Sequence, residues 1–357
     1  WTREGRGLAY VIRNATIHGE GRSPFQGTIV VRDGLIERVA EAGTELAKVR
    51  DAVEVDATGL QLYPGFMNCG DVTGLFEVGA VRSARDDSEL GRYQPDLVAG
   101  NAIHADSPHI GVTRTNGIAY VLVTPAGGTV RGQASLIQLA GETSEDLVVE
   151  PSVGMLMDCP RAGRVDPKKG PEAPRDLGEI NRFFDETLAY ADHADRAAAG
   201  GAPLAERDPR LEAMTPFARG ERPLIVEAND AATLMAARAW AKERGLEVIW
   251  IGVRDGWKVA GYLGADHARV IVGPIHTLPP DEHDPFDAPF RNASILRAAG
   301  CALAMRSADP EQTRNLPYQA ATAAAFGLGQ EETLRALTLG AAESLGVDAL
   351  VGSIEEG

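Results

Sequence analysis

Leu62-Tyr-Pro-Gly-Phe-Met-Asn-Cys-Gly-Asp-Val72 divides the chain into two kinds of pattern. Upstream, residues 8–63 hold short β-rich runs at 10–13, 28–31, 36–39 and 52–55, punctuated by Asn14, Asp33-Gly34 and Thr58-Gly59. Asp33-Gly34 between two apolar runs is a hairpin signal, because Asp-Gly tolerates the positive φ of a type I′ turn. From Leu62 onward, short runs apolar at nearly every residue recur at 62–67, 119–123, 153–157, 224–226, 248–251, 270–272 and 302–305. Strands buried on both faces read this way. Between them, 231–244 and 292–299 read as helices that start near an Asp or Asn cap. Residues 160–220 hold one further helix, 176–199, flanked by loops. Repeated βα units at this length predict an α/β fold, a (β/α)8 TIM barrel beside a small β-domain. A doubly wound dinucleotide sheet is the alternative, but no Gly-x-Gly-x-x-Gly follows the first strand.

The bulk numbers narrow the partners. The 357 residues are 44% hydrophobic and 24% charged, ordinary for a folded chain with a sizeable core. A net charge of −16 and a pI near 4.9 disfavour nucleic acid and anionic membranes. Cys69, Cys159 and Cys301 are far apart and have no C-x-x-C spacing, so neither a disulfide framework nor a structural zinc site is expected. No segment is long and apolar enough to span a membrane. The chain opens at Trp1 and stops in a turn at Gly357, which reads as a fragment cut at both ends. Location is therefore open, with a soluble, cytoplasmic protein as the default expectation.

Several segments together resemble the amidohydrolase superfamily, in its imidazolonepropionase-like and dihydroorotase-like branch. Asn14-Ala-Thr-Ile and Ile29-Val-Val-Arg-Asp-Gly-Leu-Ile resemble the N-terminal β-domain of that family, and Leu62-Tyr-Pro-Gly-Phe-Met-Asn its entry into the barrel. Gly117-Ile-Ala-Tyr-Val-Leu-Val-Thr-Pro and Gly132-Gln resemble the second strand and the loop after it. Leu337-Thr-Leu-Gly-Ala-Ala-Glu-Ser-Leu-Gly-Val and Val351-Gly-Ser-Ile-Glu-Glu-Gly resemble the return to the β-domain. The resemblance implies a β-sandwich-like accessory domain built from the chain ends, with residues 1–63 as its first part, 64–340 as the barrel and 341–357 as the start of the return.

The same resemblance implies a metal-dependent hydrolase, and the ligand positions depart from it. The family pattern after Pro64-Gly65 is hydrophobic-hydrophobic-Asp-x-His-x-His, where two histidines two apart on a strand face the same way and share a metal. Here those positions are Asn68, Gly70 and Val72, and Gly70 and Val72 have no donor atom. The later His-x-His is Glu227 and Asn229, the next ligand His aligns with Gly252, and the catalytic Asp aligns with Ala308, beside Asp309. Without ligands no bound water is acidified to hydroxide. No metal is then expected, and the chain reads as a binding or assembly subunit. It would take a small-molecule ligand, or assemble with its own copies or a catalytically complete relative.

Individual residues keep alternatives open. Arg306 is expected to replace the metal's charge and pair with Glu227 at the C-terminal mouth of the barrel; two solvated residues on separate loops are the bland alternative. Asn68, Asn229, Arg254 and Arg306 are candidate substrate contacts. A one-residue slip of the first strand would turn Cys69 and Asp71 inward and, with Glu227 and Asp309, make a divalent, zinc-type site for an active hydrolase of a cyclic amide or related C–N bond. Glu227 with His276 could also act in a metal-free enzyme, although a lone His at a strand end is more often simply hydrogen-bonded, and Asp309 is a further catalytic candidate. Cys69 as an inert core thiol and Asp71 as a turn former are the simpler readings. Gly127-Gly128 and Gly132 read as a loop needing tight chain passage, Glu77, Arg82 and Arg85 either as ligand contacts above the barrel or as a solvated loop, and His104 and His109 as surface residues.

Overall fold

The computed structural model describes residues 9–19, 23–161, 165–166, 170–171, 177–200 and 206–357. The upstream β-rich runs become β1 (Ala9–Ile17), β2 (Phe25–Arg32), β3 (Leu35–Glu41), β4 (Ala52–Asp56) and β5 (Gln61–Leu62). They form one sheet in the order β3-β2-β1-β4, with β5 also paired to β1. The hairpin signal is met: Asp33 and Gly34 have φ of 50° and 86°, and Arg32 pairs with Leu35 across them. Ala15, Ile17, Ile29, Ala57 and Ile354 share a small core, so residues near both chain ends pack together. Gly357 N also donates to Ile36 O at 2.9 Å, beside β3.

The second sheet has eight strands. These are β6 (Phe66–Asp71), β7 (Ile118–Val123), β8 (Val130–Gln138), β9 (Val148–Asp158), β12 (Leu224–Ala228), β13 (Val248–Gly252), β14 (Arg269–Val272) and β15 (Ala302–Met305). β10 (Val165–Asp166) and β11 (Gly170–Pro171) make a separate two-stranded hairpin. The barrel order is β15-β14-β13-β12-β9-β8-β7-β6, a nearly closed barrel. The expected uniform (β/α)8 arrangement is corrected in one respect. β8 runs antiparallel to both β7 and β9, while the other barrel pairings are parallel. The glycine-rich stretch read as a loop is the entry to this strand: Gly132, at φ +120°, lies within β8, and a Cβ there would stand 2.9 Å from Leu97 O. The boundary at 62–67 is also corrected, since Leu62 ends the small sheet and the barrel starts at Phe66.

Helices cover the barrel: α1 (Pro108–Arg114), α2 (Ser144–Leu147), α3 (Gly178–Ala198), α4 (Pro209–Ala218), α5 (Ala231–Arg244), α6 (Gly256–Ala265), α7 (Ala288–Ala298), α8 (Leu316–Ala323), α9 (Gln330–Leu337) and α10 (Leu339–Leu345). α5 shows how local chemistry sets the ends. Asp230 Oδ1 accepts from Thr233 N at 2.8 Å, and Gly245 stops the helix at φ +67°. α7 begins earlier than its apolar pattern suggests, because Pro289 suits the first turn. The expected start of α3 at Asp176 lies outside the described residues.

Strand alternation sorts the core into two layers. Met67, Leu122, Leu136, Leu156, Ile225, Ile249, Ile251, Ile271 and Ala304 pack together inside the barrel. Val226, Trp250, Val270, Leu303 and Met305 join the helix residues Leu234, Ala237 and Leu296 outside it. Each buried Leu or Ile contributes about 1.5–3 kcal/mol by leaving water. Inward-facing residues recur every second position, so the next inward positions after Leu156, Ile225, Ile271 and Ala304 are Asp158, Glu227, Gly273 and Arg306. The apolar interior therefore ends in a polar layer at the mouth.

Candidate functional site: a charged plug in the barrel mouth

Glu227 sits near the end of β12 with 19% of its side chain exposed. Arg306, just past β15, donates Nη2 to Glu227 Oε1 at 2.9 Å, and Arg131, on β8, donates Nη1 to Oε2 at 2.8 Å. Both carboxylate oxygens are thus engaged by guanidinium groups. Arg131 also lies 3.7 Å from Asp158, so two cations face two anions. Burial pushes the Glu227 carboxyl up, but the charges of Arg306 and Arg131 outweigh it and hold the group down at about 2. A carboxylate that acidic is a poor proton acceptor near neutral pH.

Gly70 and Gly252, at ligand-equivalent positions, and Gly273 make room for this plug. A Cβ on Gly70, at φ +142°, would stand 2.9 Å from Ile251 Cδ1 and 3.3 Å from Arg306 Cδ. At Gly252, φ +91°, it would stand 2.4 Å from Asn229 Oδ1. At Gly273, φ +131°, it would stand 2.0 Å from Arg306 O. The aliphatic stem of Arg306 and the Asn229 amide therefore occupy space that larger side chains would need. At the ends of β13 and β14, Gly252, Arg254, Gly273 and Asn292 line a cavity of about 10 Å³, room for at most one water.

The first strand serves a different purpose from ligand binding. β6 and β15 are the two ends of the hydrogen-bonded strand order, and Asn68 bridges the seam between them. Its Oδ1 accepts from Ser307 N at 2.9 Å, and its Nδ2 donates to Ser307 Oγ at 3.1 Å and to Asp71 Oδ2 at 2.6 Å. Thr313 Oγ1 also donates to Asp71, and Thr73 N donates to Asp71 Oδ1 at 2.7 Å. Burial raises the Asp71 carboxyl above its ordinary range, and the Thr313 and Thr73 bonds counter this in part. Asn68 is fully buried, so its placement is that of a seam residue and not of a substrate contact.

The remaining candidates are dispersed. Cys69 faces the barrel interior among Ile225, Ile251 and Ala304, where burial pushes its thiol up and keeps it protonated. Asp309 Oδ1 accepts from Glu311 N at 2.9 Å in an exposed turn. His276 is exposed and shares a hydrogen bond of 2.9 Å with Thr322 on α8. Arg254 is exposed and donates to Leu278 O at 3.3 Å. Among the described residues, two groups of three bring potential metal donors within 4.8 Å of one another: Glu77 with His104 and Asp106, and Asp255 with Asp281 and Asp284. Cys69, Asp71, Glu227 and Asp309 belong to neither. Lys258 fills the second group, 3.1 Å from Asp255 and 2.9 Å from Asp284. Arg131 is the mouth residue that sequence reasoning missed. Alternation from the interior residues Ala134 and Leu136 puts Arg131 on the other face, and a register shift between Val130 and Gly132 breaks that alternation.

No family model matches the chain, and neither does any curated protein. Solved structures do. An amidohydrolase from Thermotoga maritima MSB8 superposes with a TM-score of 0.84 at 26% identity, over 98% of this chain and 91% of that one. The chain belongs to the amidohydrolase superfamily. At lower identity, another amidohydrolase (TM-score 0.57, 16%) and a prolidase complexed with N-methylphosphonate-L-proline (TM-score 0.56, 14%) share the fold, each over 98% of this chain and 90% of its own. The superfamily implies a divalent metal, and the positions that the resemblance aligns with its ligands carry few donors in this chain. Gly70, Val72, Gly252 and Ala308 lack side-chain donors, and Glu227 is saturated by two cations that would repel a third. Asn229 Oδ1, buried without a hydrogen-bond partner, is a single amide oxygen and not a ligand set.

Proposed function

We propose that this amidohydrolase homologue does not hydrolyse C–N bonds by metal-hydroxide chemistry in the barrel mouth and acts as an assembly subunit. The observation that carries this reading is the Arg131–Glu227–Arg306 plug, which takes both oxygens of the one carboxylate best placed to ligate. Arg306 supplies the positive charge that a metal would bring, yet cannot generate hydroxide. The mutual pairing of Arg131, Asp158, Glu227 and Arg306 favours assembly, with copies of this chain or with a catalytically complete relative, over capture of a small molecule in the mouth. A second reading has one observation behind it: the 26%-identical neighbour is described as an amidohydrolase, which favours an active hydrolase whose ligands come together by rearrangement.

The deciding experiment is metal analysis after dialysis from zinc, manganese and nickel, with assays on cyclic amides and dipeptides. We expect no chelator-sensitive turnover and no metal whose retention depends on Glu227. Metal retained by the His104→Ala chain and lost on Glu227→Gln, or hydrolysis abolished by chelation, overturns the proposal and favours the second reading.

A further inference from the structure

We infer that Glu77, His104 and Asp106 form a divalent-cation site of the zinc class on the mouth-side rim, separate from the plugged centre. These three residues sit on the long connection between β6 and α1, and their donor atoms all lie within 4.8 Å of one another. Donors on one tetrahedral zinc at about 2.1 Å are about 3.4 Å from one another, so shifts of about 1 Å in each side chain bring all three onto one ion. The donor set is mixed, one imidazole with two carboxylates, which suits zinc better than the all-oxygen preference of calcium.

Two further features distinguish this group from an ordinary acidic patch. First, Asp86 Oδ2 lies 2.7 Å from His104 Nε2, so Nδ1 is the ring nitrogen that this contact leaves for a metal, and a carboxylate on the other nitrogen raises ligand basicity. Second, the site lacks a counter-ion. Glu77 and Asp106 form no ion pair among the described residues, whereas Arg85 is committed to Asp87, and Lys258 already neutralises the other acidic group. Three carboxylates around one imidazole repel one another until a cation is bound.

The frame is also fixed before any cation arrives. His104 N donates to Gly74 O at 2.9 Å, Glu77 N to Ala84 O at 3.1 Å, and Asp86 N to Leu75 O at 2.8 Å. These bonds tie the two loop segments together, so little chain entropy is lost on binding. His109 contacts Glu77 O at 3.1 Å and also lines a groove of about 250 Å³ with Val112, Pro310 and Arg314. Space for a further ligand therefore adjoins the site.

Zinc titrated calorimetrically into the full chain is expected to bind at one equivalent. His104→Ala, an exposed change that leaves the core intact, should abolish binding, and Asp106→Asn should weaken it. Asp86→Asn should weaken binding about 10–100-fold through loss of the ring's support. Cobalt in place of zinc should give a visible absorption band that His104→Ala removes. The inference is overturned if the chain does not bind zinc, if His104→Ala leaves stoichiometry and affinity unchanged, or if calcium displaces zinc at equal concentration. Because Glu227 is untouched in these variants, their outcome is independent of the mouth proposal.

Discussion

Replacing Glu227 by Gln keeps the side chain's shape and removes the anion between Arg131 and Arg306. The carboxyl lies at about 2 in the folded chain against an ordinary 4.5. At about 1.4 kcal/mol per tenfold difference, that gap corresponds to on the order of 3 kcal/mol of stability. Removing one member of a buried ion pair costs about 3–5 kcal/mol, in agreement. Unfolding entropy of about 2.1 cal/mol/K per residue over 357 residues converts 3 kcal/mol into a fall in Tm of about 4 °C. The pH dependence has a definite sign. A depressed carboxyl contributes fully above its unfolded value and loses that contribution as pH falls through its folded value. Scanning calorimetry of both chains should show a constant gap from about pH 7 to about pH 5 and a shrinking gap from about pH 4.5 toward about pH 2. A gap below about 1 °C at neutral pH, or one that persists unchanged in acid, would refute the charge plug as a stabilising unit.

Two further perturbations follow from the same geometry. Gly252→Ala should destabilise by about 1–3 kcal/mol through positive φ and the Asn229 clash, and Asn229→Ala in the same chain should recover only the clash part; full recovery in urea unfolding would show that backbone strain is absent. Asn68→Ala should leave Ser307 N without its partner and take one donor from Asp71, which keeps Thr313 and Thr73, at about 1–3 kcal/mol in all, and raise amide exchange at Ser307 first; unchanged exchange there would mean that water replaces the Asn68 amide.

The parts readable from sequence are those set by local pattern. Doubly buried strands such as 224–226 and 270–272 announce themselves through unbroken apolar runs, and α5 through Asp230 and Gly245. The resemblance puts Glu227 and Arg306 at the C-terminal mouth, and the structure has them 2.9 Å apart. β8 was hidden because its entry carries Gly132 and its antiparallel direction breaks the βα rhythm. Arg131 was lost with it. Asn68 was misplaced because the register shifts between Asn68 and Asp71, which turns its amide across the seam. Glu77, His104 and Asp106 have no shared spacing at all; only backbone bonds between two loop segments make them neighbours.

The Asn68 seam has a consequence for biosynthesis. Its hydrogen bonds to Ser307 join residues 239 positions apart, and Thr313 reaches Asp71 across 242. During N-to-C synthesis, β6 therefore waits unfinished until nearly the whole chain has left the ribosome. Through that interval one face of Asn68 and Asp71 is served only by solvent, and β6 offers a raw margin to any passing strand. Closure comes as a late, high-contact-order event, slow because a long loop must first be brought round. A nascent chain of this design would lean on holdase chaperones for longer than a protein of equal size whose neighbours in space are also neighbours in sequence.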